Sequence, residues 1–142
     1  MVTNSEVHDV IKKAAKLIEN PNSWLKGVLA KDDIGRSRAQ CENENVQFVP
    51  CQFCMAGALT HASESFDVKH DSKEYELYQH AVMATAKAIM GGSNADVQDA
   101  STASDVIVSY NDEPNRTHMQ ALASFEVAIL NLENNEDIED AI

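Results

Sequence analysis

Phe48-Val49-Pro50-Cys51-Gln52-Phe53-Cys54-Met55-Ala56-Gly57-Ala58-Leu59-Thr60-His61-Ala62 is the stretch on which the fold of this 142-residue chain turns. It carries two of the three cysteines, one of the three prolines and a run of small and apolar residues. After Pro50 the spacing predicts a helix from about Gln52 to Ser65, with Met55, Leu59, Ala62 and Phe66 on one stripe and Ala58 beside it. Gly57 costs such a helix about 1 kcal/mol relative to alanine. Its place there predicts the close approach of a second backbone or of Trp24.

Working outward on the N-terminal side, Val7, Val10, Ile11, Ala14, Leu17 and Ile18 recur at helical spacing, with Lys12, Lys13 and Lys16 opposite. The pattern predicts a helix over 5–19, opened by a Thr3/Glu6 capping box and stopped at Asn20-Pro21. Trp24–Ala30 is a short apolar piece, read as a strand or an irregular packed segment, with Trp24 as a core anchor. Asp32-Asp33-Ile34-Gly35 is a turn signal, and residues 36–47 read as a polar surface loop.

On the C-terminal side, Tyr75, Tyr78, Val82, Ala86 and Ile89 predict a helix over 72–90, ended by Gly91-Gly92. Ser93–Ala103 is polar, loop or short helix, with Ser93 and Asp96 at capping-box spacing. Val106–Tyr110 is rich in β-branched residues but is read as helix. Asn111–Arg116 reads as a loop. Thr117 with Gln120 opens a last helix to about Glu133 with Leu122, Phe125, Ile129 and Leu132 buried. Residues 134–142 read as a frayed acidic tail. The expectation is a mainly α, single compact domain over 1–133, of four to five helices with room for one short β element near Trp24 or Val106. Helix 52–65 is expected at its centre, packed by 5–19, 72–90 and 117–133.

Composition sets outer bounds. With 44% apolar and 24% charged residues the chain has ordinary globular usage, and its length suits one domain with a sizeable core. Eleven basic residues stand against 23 acidic ones, a formal net charge of −12. After Lys87 the one basic residue is Arg116, against eleven acids from Asp96 to Asp140. Such a surface repels phosphate, which disfavours direct nucleic-acid or anionic-membrane binding and suits either plain solubility or a protein partner with a basic surface. The odd cysteine count and the absence of an apolar run after Met1 point to a cytoplasmic protein with reduced thiols. No membrane span is expected.

Three groups of residues could carry chemistry. Cys51-x-x-Cys54, with Cys41 upstream and His61 downstream, has zinc-like spacing. A single such pair is a weak signal, and Cys54 and His61 lie about 10 Å apart along one helix at 1.5 Å per residue. A structural zinc domain is therefore the lesser alternative, and no metal or cofactor is assigned. Cys54 near a helix start could act as a nucleophile, with His118 as base and Asp112 as orienting group, in a hydrolase or transferase. The stronger reading is a buried structural thiol, in an apolar helix beside small residues. Asn111, Arg116 and Thr117, with Trp24, could bind a carboxylate or phosphate ligand. The same residues read locally as a turn and helix cap.

Phe53-Cys54-Met55-Ala56-Gly57-Ala58-Leu59 resembles an aromatic-Cys-x-x-Gly-Ala-Leu signature, and Asn111-Asp112 with Arg116-Thr117 resembles Asn-Asp-x-x-x-Arg-Thr. Together with Trp24 they are similar to an uncharacterised small domain family of bacterial and phage proteins, over most of residues 5–130. Phe53 stands where that family is expected to carry tryptophan. Asn115 stands where glycine is expected, a position where asparagine tolerates a left-handed turn. Neither Cys41 nor Cys51 nor any histidine belongs to the pattern. The resemblance implies a fold and a shared polar site and no activity. The expectation for function is a small acidic non-enzymatic accessory or interaction protein that binds a protein partner or small ligand.

Overall fold

The computed structural model describes residues 2–91 and 97–140, with side chains to residue 134. It is mainly helical. Six α-helices are described: α1 (Asn4–Leu17), α2 (Arg38–Asn43), α3 (Met55–Ala62), α4 (Lys73–Ile89), α5 (Ala100–Asp112) and α6 (His118–Asp140). Two short strands, β1 (Ala30–Lys31) and β2 (Gln52–Phe53), pair antiparallel with Ala30 opposite Phe53. This is the short β element expected near Trp24.

The N-terminal helix forms as its pattern requires. Thr3 accepts from the Glu6 N–H, Glu6 returns the bond to the Thr3 N–H, and Val7, Val10, Ile11 and Ala14 are buried. α5 absorbs Val106–Tyr110, so the β-branched run is helical. Thr117 and Gln120 exchange both capping-box bonds, at 3.1 and 3.0 Å.

Four expectations are corrected. The central helix begins at Met55 rather than Gln52, because Gln52 and Phe53 pair with β1 and Cys54 becomes the N-cap. The 36–47 loop contains α2, capped by Ser37 and holding the buried Cys41. Asn111 and Asp112 are the last residues of α5 rather than loop. α3 packs on α1, α4 and α5, while α6 lies chiefly against α1 and α4. The Ser93/Asp96 pair lies outside the described residues.

α3 is buried along most of its length, from Met55 through Leu59. Gly57 explains how a chain segment can cross it. A Cβ there would sit 1.8 Å from the Leu29 carbonyl oxygen, so the backbone before β1 lies directly on the helix. The second backbone that Gly57 implied is therefore Leu29.

Candidate functional site

Trp24, Asn111 and Asp112 come together at the N-terminus of α3. Asn111, at the end of α5, is fully buried. Its Oδ1 accepts from the Trp24 indole at 2.7 Å and from the Met55 backbone N–H at 3.0 Å. Its amide donates to the Leu25 carbonyl and to Asp112 Oδ1, each at 3.0 Å. An asparagine side chain has two donors and two acceptor positions. All four are used.

The rest of the turn closes around this residue. Asp112 Oδ1 also accepts the Gly27 N–H at 3.0 Å. Lys26 Nζ donates to the carbonyls of Glu113 and Pro114, at 2.6 and 3.2 Å, and stands 5.5 Å over the Trp24 ring. Arg116 donates through Nε to the Tyr110 carbonyl at 2.8 Å, lies 3.5 Å over the Tyr110 ring and pairs with Glu113. Trp24–Gly27 is thereby tied to a turn some 85 residues later. Asn115 does not take the left-handed conformation; among the described residues Asn45 and Glu64 are the non-glycine residues with positive φ.

The helix terminus that could attract an anion is thus occupied by the protein itself. The first N–H groups of a helix lack partners within it. Here Asn111 takes that of Met55, and Cys54 Sγ accepts from Gly57 N at 3.3 Å.

Cys54 is buried, and burial raises its thiol pKa, with the charge of Asp112 adding to the rise and the Gly57 and Ala56 N–H groups opposing it. Cys54 and Asp112 line one small cavity of about 190 Å³ with Gly27, Val28, Leu29 and Val108. His118 is directed elsewhere. Its Nε2 is bonded to the Ile18 carbonyl, and its ring lies 6.0 Å from that of Trp24. Of the three residues considered for catalysis, the structure brings two to one cavity and anchors the third to α1.

The cysteines are all free. Cys41 donates to the buried Asp32 at 3.4 Å. Burial pushes the Asp32 carboxyl up, but bonds from the Arg36 backbone and guanidinium, Cys41 and Ile34 outweigh it and lower the group to about 2. Cys51 is exposed, and its N–H donates to Lys31. Among the described residues no group of three or more His, Cys, Asp or Glu is placed to hold a metal ion, and no helix is long and apolar enough to cross a membrane.

A second site was not legible in the sequence. Phe48, Pro50, His61, Phe66 and Arg38 border a hollow of about 390 Å³, and His61 and Phe66 also border a neighbouring one of about 370 Å³ with Lys13 and Glu64. These residues come from α1, the start of α2, the strand approach, the end of α3 and the segment after it. No single periodic pattern unites them.

Among known proteins, residues 2–131 match a family model described as a family of unknown function, DUF6197. No curated protein and no solved structure matches the chain.

Proposed function

The chain belongs to the family of unknown function DUF6197, and within it we propose a non-catalytic binding domain, an acidic accessory protein that holds a protein partner or a small ligand. The observation that carries this reading is the hydrogen bonding of Asn111, complete within the protein, with Arg116 likewise engaged by Tyr110 and Glu113. Residues bound to one another in this way serve as a brace. They position the Trp24–Leu29 segment on α3 and leave binding to the surface that the brace shapes. Trp24, Asn111, Arg116 and Thr117 then act on a ligand indirectly, by holding that surface.

A net charge of −12 favours a protein partner with a basic surface over nucleic acid or an anionic membrane. The resemblance to bacterial and phage proteins, with three free thiols, suits a cytoplasmic setting.

One observation favours a second reading, a cysteine hydrolase or transferase: Cys54 and Asp112 share a cavity. That reading needs a thiolate, whereas burial favours the neutral thiol. Iodoacetamide labelling of the native protein at neutral pH separates the two. The binding domain gives labelling at exposed Cys51 first, with Cys54 reacting only as the fold opens. Faster labelling at Cys54 than at Cys51 would overturn it in favour of the enzyme.

A further inference from the structure

The hollow beside Phe66 has the features of a small-molecule site. Its volume of about 390 Å³ lies in the range of ligand pockets, which are commonly apolar with a few placed polar groups. Phe48, Pro50, Val46 and Phe66 supply apolar and aromatic wall. His61 supplies the polar group. It is half-buried against the Phe53 ring at 5.1 Å and has no hydrogen-bond partner among the described residues. Burial and the nearby Lys13 lower its pKa, so the ring is neutral at physiological pH, with one nitrogen a donor and the other an acceptor.

The charges around it are matched. Arg38 lies 5.1 Å over Phe66 and is paired with Asp67 and Glu42. Lys13 borders the adjoining hollow together with Glu64 and Asp67. Neither sign is left in clear excess to hold an ionic ligand.

We propose that this hollow binds a small uncharged aromatic ligand, whose ring packs among Phe48, Pro50 and Phe66 while its polar edge hydrogen-bonds with His61. This specifies a ligand class for the binding domain proposed above and rests on that reading. An aromatic ring gains over an aliphatic one here because ring–ring contact adds to the burial of its surface.

The test is an NMR titration of the full chain with benzimidazole near neutral pH, with benzoate and benzamidine as charged comparators. Saturable shifts at Phe48, His61 and Phe66 are expected with benzimidazole and much weaker ones with either ion. His61→Phe keeps a ring against Phe53 but removes the hydrogen bond, and weakens binding about three- to tenfold. Phe66→Leu weakens it through the wall and serves if the first variant folds poorly. No saturable shift, shifts centred on Val108 instead, equal binding of the charged comparators, or unchanged affinity in both variants would overturn the proposal. Fast labelling of Cys54 is a separate failure, that of the binding-domain reading itself.

Discussion

Gly57→Ala sets two effects of opposite sign against each other. In an unobstructed helix interior the change is worth about 1 kcal/mol of added stability. In this fold the new Cβ would lie 1.8 Å from the Leu29 oxygen, 2.6 Å from its carbonyl carbon and 3.2 Å from its Cα. All three are main-chain atoms, so no side-chain rotation relieves the contact. Leu29 would have to retreat by more than an ångström. Its carbonyl accepts the Cys54 N–H at 3.1 Å, and the next residue, Ala30, pairs with Phe53. Retreat therefore loses a hydrogen bond worth about 0.5–1.5 kcal/mol and adds overpacking of about 1–3 kcal/mol. Set against the helix gain, the variant should be less stable by about 0.5–3.5 kcal/mol. Urea unfolding followed by far-UV circular dichroism should show a lower midpoint with an unchanged slope. A midpoint equal to or above that of the parent would refute the close approach of Leu29.

Three further outcomes follow from other contacts in the fold. Asn111→Ala strands the Trp24 indole N–H, the Met55 N–H and the Leu25 carbonyl, and a loss of about 3–5 kcal/mol is expected in the same unfolding assay. Asp32 has a folded pKa lowered to about 2, so its contribution is present above the unfolded value near 3.8 and is lost as pH falls through about 2. Asp32→Asn should accordingly melt below the parent at neutral pH, and the gap should close in strong acid. His8 is raised by its bond to Glu133, against a smaller opposing effect of burial and with Asp9 adding to the rise. Its contribution is full below the unfolded value of about 6.5 and fades as pH rises through the higher folded value. His8→Gln should show a small deficit, under about 1 kcal/mol, near pH 5.5 and none in mild alkali.

Local signals were the legible part of the fold. The Thr3/Glu6 and Thr117/Gln120 boxes and the apolar stripe of α1 act within a few residues, and the structure contains each. Gly57 was legible as an anomaly, a helix-weakening residue that needed a reason. The start of α3 was not, because Gln52 and Phe53 leave the helix to pair with residues more than twenty positions earlier. α2 stayed hidden because one buried residue, Cys41, gives no apolar period. At the candidate site the sequence singled out Asn111, Arg116 and Thr117, with Trp24, as ligand contacts or a local turn and cap, and Asp112 as an orienting group. Distance along the chain concealed that Asn111 and Asp112 bond to Trp24, Leu25 and Gly27. The hollow around His61 was concealed for a similar reason: its walls come from four segments with unrelated local patterns.

The central claim, that the turn after α5 is an internal brace, is tested most directly at Trp24. It is the sole tryptophan, so its indole N–H gives one resonance, and it donates to Asn111 at 2.7 Å. Hydrogen exchange followed by NMR should find this proton strongly protected in the native protein and protection lost in Asn111→Ala. An indole proton that exchanges as fast as in free tryptophan, or one whose protection survives that substitution, would contradict the account.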